Sequence, residues 1–441
     1  MKLKNTKPAS KVNRRKFLRI AGIVAVGMTS ADSWAKAPMF DKNNSSETGR
    51  LIVPENGRSL MQLRGNDVAT IVETKVICRQ PGKFLGDGSE YGVDTYMHPV
   101  IRKRVIEANR YMGWPTLTQT KNGELLVAVS GDRDAHVCPW GKTQLIRSKD
   151  GGKTWSAPEL VNNTPLDDRD AGIIETKKGT LLVSWFTSLA YTLPQYPTAY
   201  ERYARLAEKI TPEVRTKYLG NWVRRSEDGG KTWQDAVRTI NTAPHGPIQL
   251  RDGRILYVGN GIWKGEPAMT VEQSSDDGRT WKTVTTFPMP VDDTVVGRLT
   301  EPHMVELQSG KLIAMFRNEP KDRTKCYLLQ SESNNGGKTW SPLHSTGIWG
   351  YPPHLIQLRN GWVLVCYGYR LDPITERACI SRDQGVTWDI ENQISLAGAL
   401  GADMGYPSST QLKDDSILTV YYQAEKSGGP TVLNSTRWKL K

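Results

Sequence analysis

Three Pro-His pairs, Pro244-His245, Pro302-His303 and Pro353-His354, recur in a chain with only six histidines, and a fourth, His136, ends the polar segment Gly131-Asp132-Arg133-Asp134-Ala135-His136. An imidazole changes charge near neutral pH, so each of the four is a candidate general acid or base. Arginines accompany them: Arg133 in the same segment, Arg169 beside Asp170 in Asp167-Asp168-Arg169-Asp170, and Arg317. A guanidinium grips a carboxylate through a planar fork. With Glu301 and Tyr406, these side chains have what proton transfer beside a bound anionic group requires, provided that the fold gathers them.

The elements that would gather them are visible as two repeats. The octets Ser148 to Trp155, Ser226 to Trp233, Ser274 to Trp281, Ser333 to Trp340 and Ser381 to Trp388 share the pattern S-x-D-x-G-x-T-W of the Asp-box, with Asn335 replacing Asp in the fourth. A short Asp or Asn side chain accepts backbone N–H groups within a turn, glycine frees φ, and Thr-Trp opens a strand with a large packing face. Such turns are structural, and no catalytic role is expected of them. Upstream of the boxes runs a second repeat, strand, turn and strand, six times over. Its turns fall at positions 123, 179, 253, 310, 361 and 415, so the spacings are 56, 74, 57, 51 and 54 residues. Each unit holds about four short strands, the size of one propeller blade. The expectation is an all-β, six-bladed β-propeller over residues 68–441, with the long spacing marking a short helical insertion in the second blade near 187–220. A strand from 68–78 is expected to complete the sixth blade. On this ring the Pro-His pairs precede the inner strands of the third, fourth and fifth blades and face His136 at one end of the channel, where Arg133, Arg169, Asp170, Glu301, Arg317 and Tyr406 join them. Three imidazoles suit Zn²⁺, but blade radii should hold them too far apart, and no metal or cofactor is expected.

The net charge of +13 raises the question of a polyanionic partner. Its location answers this. Residues 1–35 carry Asn13-Arg14-Arg15-Lys16-Phe17-Leu18, an apolar run from Ile20 to Met28 and the small-x-small end Ser33-Trp34-Ala35. That order resembles a twin-arginine export signal, and the run is too short to span a bilayer. Without this segment the charge is near +6 and no basic run remains, so neither nucleic acid nor stable membrane insertion is expected, and the destination is the periplasm or the exterior. Residues 36–67 read as a linker. Cysteines 78, 138, 326, 366 and 379 are odd in number and lack metal-ligand spacing; Cys366 and Cys379 either pair across a hairpin or stay buried thiols.

Asp-boxes on a six-bladed ring resemble the bacterial sialidase superfamily, over roughly residues 70–438. The resemblance implies an exo-glycosidase in which Tyr406, opening the last inner strand, is the nucleophile polarised by Glu301. Arg317, 16 residues beyond Glu301, would hold the substrate's acid group with Arg377, for which Arg370 competes. Asp170 would border the pocket. Two positions depart from the family pattern. Met112-Gly113-Trp114-Pro115 stands where the family's first Arg is expected, leaving Arg133 or Arg169 to supply the cation. The acid/base Asp is replaced by His136, so the proton falls to His136 or Asp134, and His245, His303 and His354 become contacts to an acidic sugar on an oligosaccharide or glycoconjugate. A polysaccharide lyase acting on uronates and a non-catalytic glycan-binding propeller remain the alternatives.

Overall fold

The computed structural model describes residues 66–80 and 111–441. The export signal and all but the end of the linker fall outside the described residues. Six four-stranded antiparallel sheets form the ring. The first blade comprises β2 (Tyr111–Gln119), β3 (Leu125–Arg133), β4 (Lys142–Ser148) and β5 (Glu159–Asn162), and the second β6 (Asp167–Glu175), β7 (Leu181–Ser188), β8 (Asn221–Ser226) and β9 (Val237–Thr239). The third runs from β10 (Ile248–Gln249) to β13 (Lys282–Thr286), the fourth from β14 (Arg298–Glu306) to β17 (His344–Trp349), and the fifth from β18 (His354–Gln357) to β21 (Ile394–Gly398). The sixth takes β22 (Gly405–Gln411), β23 (Ile417–Ala424) and β24 (Thr431–Leu440) from the end of the chain, and its outer strand, β1 (Ala69–Cys78), from the beginning. Ala69 pairs with Leu440 and Val76 with Asn434, so the ring closes by hydrogen bonds between strands from the two ends of the propeller, within the sixth blade.

The inner strands of the first, second and sixth blades are buried over at least their first five residues, and apolar side chains of successive strands form a layer between each pair of neighbouring blades. Leu117, Val127 and Ile146 of the first blade meet Leu418, Val420 and Leu433 of the sixth in one such layer. Burying each of these side chains contributes roughly 1.5–3 kcal/mol. The Asp-boxes clamp the outer hairpins as their composition dictates. Asp150 accepts the Thr154 amide at 2.9 Å and the Thr154 hydroxyl at 2.5 Å, while Ser148 Oγ accepts the Gly152 amide at 2.8 Å. Asn335 keeps the amide contact, at 3.0 Å from Thr339 N, and donates its own NH₂ to the Thr339 hydroxyl at 2.7 Å. The first box indole, Trp155, packs on the layer between the first and sixth blades. Trp155→Ala is therefore expected to lower the melting temperature by several degrees while the turnover of the folded fraction stays at the wild-type level; a loss of rate without a loss of stability, measured side by side, would contradict this.

The insertion holds two helices, α1 (Pro197–Tyr203) and α2 (Pro212–Tyr218), the second capped by Thr211, whose hydroxyl accepts the Val214 amide. Tyr191, Tyr196 and Tyr203 bury themselves against Val137 and Cys138, so the insertion packs on the loop that follows β3. All five cysteines are buried free thiols, and Cys366 and Cys379 do not pair. Among the described residues no helix is long and apolar enough to cross a membrane.

Candidate active site

Four inner strands share one irregularity. Trp114, Asp170, Glu301 and Tyr406 have φ of 57°, 52°, 47° and 53°, in the left-handed region that side chains disfavour. Each lies in a register break of its blade, between Gly113 and Thr116, Arg169 and Gly172, Thr300 and His303, and Gly405 and Ser408. A bulge of this kind turns one side chain out of the pleat, at about 1–3 kcal/mol of strain per residue. Repeated at the same point of four blades, it presents an indole, two carboxyl groups and a phenol at the mouth of the channel.

On one wall Tyr406 Oη donates to Glu301 Oε1 at 2.8 Å, and Arg317 Nη1 donates to Glu301 Oε2 at 2.7 Å and lies 3.4 Å from the Tyr406 oxygen. Burial, then the Glu301 charge, raises the Tyr406 phenol well above its usual 10, with Arg317 opposing. Tyr406 is thus a neutral phenol whose proton already faces a carboxylate. The other Arg317 nitrogen donates to Glu319 at 2.9 Å, and its guanidinium lies 4.2 Å over the Tyr351 ring. Arg370 shares that ring at 5.1 Å and donates to the Met404 carbonyl at 2.8 Å, two residues before Tyr406. Arg377 is elsewhere: it covers Tyr369 at 3.5 Å and donates to Thr375. Arg370, at the end of β19 (Val363–Tyr369) as Arg317 is at the end of β15 (Leu312–Glu319), is therefore the second arginine of this wall, and the expectation for Arg377 is corrected.

Trp114 is the hub of the opposite wall. Its ring lies 5.0 Å from His136 in an edge contact and 6.4 Å from Tyr406, with Arg169 at 4.3 Å and Arg133 at 4.8 Å over it. His136 Nδ1 lies 3.0 Å from Asp403 Oδ1, and Asp403 also accepts from Tyr111 at 3.0 Å and Tyr422 at 2.8 Å. Burial works to raise the Asp403 carboxyl, but His136 and the two phenols hold it down at about 2. Burial lowers His136 below its usual 6.5 against the pull of Asp403. At neutral pH the pair is an imidazole donating Nδ1–H to a carboxylate, which fixes the tautomer and leaves Nε2 as the proton-exchanging atom. A cleft of about 660 Å³ opens beside His136 and Asp403, lined also by Asp134, Leu400 and Lys426.

The remaining expectations divide. Asp170 comes to the mouth; burial pushes its carboxyl up to about 7, and its Oδ1 has no hydrogen bond. Asp134 accepts the Tyr203 hydroxyl of the insertion, so it braces the loop that carries His136. Arg133, fully buried, is taken by Asp167 at 2.5 and 3.0 Å and does not face the site. His245, His303 and His354 are not at the rim. They pack on one another with ring centroids 4.3–5.5 Å apart, at 1%, 7% and 5% exposure. His303 accepts the Leu355 amide at 2.9 Å, His354 meets Ser408 Oγ at 3.0 Å, and His245 meets Thr116 Oγ1 at 3.2 Å. Burial holds all three imidazoles neutral. They close the channel beneath the four bulged residues as a hydrogen-bonded floor, and blade radius does not keep them apart. Among the described residues no cluster of three or more His, Cys, Asp or Glu is arranged to hold a metal. Sequence reasoning missed Trp114 as a hub and Asp403 altogether. The available signals were Pro115, which follows Trp114 as Pro302 follows Glu301 and Pro407 follows Tyr406, and the position of Asp403 three residues before Tyr406.

The family model described as BNR repeat-like domain matches residues 204–420, and that described as BNR/Asp-box repeat matches residues 146–157. No curated protein matches the sequence. Among solved structures, a Dyadobacter fermentans protein of unknown function is similar at 24% identity and a TM-score of 0.64, over 85% of this chain and 100% of its own. The NanB sialidase of Streptococcus pneumoniae is similar at 13% identity and a TM-score of 0.52, over 85% of this chain and 70% of its own. An α-L-arabinofuranosidase of Fusarium graminearum is similar at 14% identity and a TM-score of 0.52, over 75% of this chain and 97% of its own. These likenesses are of fold. Enzymes named for two different sugars share it, so the side chains at the mouth have to decide the chemistry.

Proposed function

We propose that this six-bladed BNR/Asp-box propeller of the sialidase-like fold is a glycoside hydrolase that removes a terminal acidic sugar, sialic acid or a relative, from glycans in the periplasm or outside the cell. The observation that carries the reading is the Tyr406 phenol bonded at 2.8 Å to Glu301, with Arg317 bridging the two. A neutral phenol approaches an anionic sugar without the repulsion a carboxylate nucleophile would meet. Tyr406 Oη attacks the anomeric carbon as its proton passes to Glu301, and the departing glycosidic oxygen takes the proton from His136 Nε2. Water, deprotonated by His136, then displaces Tyr406, which recovers its proton from Glu301. Arg317 stabilises Glu301 as an anion and Arg370 stands beside it. Sialidases and an arabinofuranosidase among the structural neighbours support a glycosidase. The test is a glycan panel read by product mass: hydrolysis adds one water and releases a monosaccharide. An unsaturated product absorbing in the ultraviolet, or no product from any acidic glycan, would overturn the reading.

A proton donor whose own pKa lies below 6.5 makes the rate fall as pH rises through that value. Because Asp403 raises the His136 pKa, Asp403→Asn is expected to move the descending limb of the pH–rate profile to lower pH and to reduce kcat/KM at pH 6 by about tenfold or more. An unmoved limb would remove His136 from the role.

A further inference from the structure

Five of the six joints between blades are clasped on the face opposite the mouth, where each inner strand turns back. Lys121, Lys177, Arg251, Gln308 and Arg359, each two residues before a turn position, donate their backbone N–H to the last side chain of the next blade's inner strand. The acceptors are Glu175, Gln249, Glu306, Gln357 and Gln411, at 2.5–2.8 Å. The side chains of Lys121, Lys177, Arg251 and Arg359 reach on to carbonyl groups of the neighbouring turn. The joint between the sixth and first blades has the same two residues, Lys413 before its turn and Gln119 at the end of β2. Yet among the described residues no hydrogen bond joins them, and neither the Lys413 amide nor the Gln119 side chain has another partner. Lys413 Nζ crosses to 3.8 Å from where a Cβ on Gly123 would stand, without an acceptor there. In place of the clasp a groove of about 700 Å³ opens, lined also by Lys149 and Lys153 of the first Asp-box, both exposed and without an ionic partner among the described residues. Its acids are engaged. Asp150 accepts Thr154 within the box, Asp414 accepts Ser416 and lies 3.6 Å from Arg437, and Glu124 lies 3.8 Å from Arg147.

We propose that this groove is a second, non-catalytic binding site for an acidic polysaccharide and tethers the enzyme to the polymer. Three ammonium groups take acid groups as point charges. Beside them the Lys413 amide donates and the Gln119 amide both donates and accepts, a pattern that sugar hydroxyls match. The volume suits roughly two or three sugar rings. Acids interleaved with the lysines disfavour a dense polyphosphate, which needs a continuous run of cations, but tolerate one charge per sugar. Gln119 stands five residues along β2 from Trp114, roughly 15 Å, so the groove does not compete with the mouth for one sugar. It holds a separate stretch of chain and thereby raises the local concentration of chain ends. The choice of ligand class rests on the hydrolase reading, but binding in the groove needs no turnover.

Biolayer interferometry on immobilised α2,8-linked polysialate and polygalacturonate, with dextran as the neutral control, tests the site in a Tyr406→Phe background that consumes no chain. At least one acidic polymer should be bound and dextran should not. Replacing Lys149, Lys153 and Lys413 together by Gln is expected to weaken that binding about tenfold. Replacing Lys231, Lys282 and Lys338 by Gln removes the same charge at the Asp-boxes of other blades and should leave it within about twofold. Gln119→Leu, which changes no charge, should weaken it about threefold. No binding to either acidic polymer, an equal loss in the control triple variant, retention in the groove triple variant, or unchanged binding by Gln119→Leu would each overturn the site. A wild type that binds through the groove but releases no sugar would refute the hydrolase reading and leave this site standing.

Discussion

Tyr406→Phe is expected to lower kcat by three or more orders of magnitude on any glycan that the wild type hydrolyses, with the melting temperature within a few degrees of the parent. The phenolic oxygen is the one atom removed, and in the free protein it makes one strong hydrogen bond, to Glu301. Losing that bond costs stability only about 1 kcal/mol, because Glu301 keeps Arg317 at 2.7 Å. Losing the nucleophile removes the covalent route altogether. Glu301→Gln should act nearly as strongly by a different path. The amide keeps the shape but cannot take the phenol proton, and it leaves Arg317 with Glu319 as its remaining anionic contact. The double variant should be little worse than either single one, since both disable one step. Steady-state rates on a purified, folded protein decide this, and a variant within tenfold of the wild type would exclude Tyr406 as nucleophile.

The ring was legible because the sequence repeats. Five Asp-boxes and six strand-turn-strand units give each later residue a blade address, which is how Glu301, Arg317, Asp170 and Tyr406 are placed together without knowledge of a single contact. The height of a residue along the channel is a different matter. Glu301 and His303 stand two residues apart on one strand, and two residues span about 7 Å, so they cannot both lie at the mouth. The bulge between Thr300 and His303 decides which does. Period-counting sees the Pro-His pairs as rim features, whereas the strand geometry makes the imidazoles the floor. Arg377 fails for a related reason: it lies on β20 (Thr375–Ser381), opposite Tyr367, while Arg370 follows the strand whose end reaches the site. Asp403 was not legible because its partner His136 is 267 residues away and joins it through a loop, where no periodicity holds. Trp114 was read as a lost arginine. Its φ of 57° shows that the strain maintained at Asp170, Glu301 and Tyr406 is maintained there as well, for an indole.

Arg133 and Arg169 lie over the same ring, yet their removal should have opposite consequences. Arg133→Met strips the partner from Asp167, which has no exposed surface, and breaking a buried pair on one side costs about 3–5 kcal/mol. The expected signature is a fall in melting temperature on the order of 10 °C. Arg133→Met combined with Asp167→Leu should recover most of it, because the stranded charge is then gone and the volume is kept. Arg169→Gln, which removes a guanidinium with two unmet nitrogens, should leave the melting temperature where it was. Arg133 also donates from Nη2 to the His136 carbonyl at 2.9 Å, so it fixes the backbone of the proton donor. The double variant should therefore regain stability without regaining full activity, whereas a structural role confined to the Asp167 pair would restore both. Thermal melts and kcat measured on the same four proteins separate these outcomes, and Arg133→Met melting with the wild type would show that the ion pair is not what holds this wall.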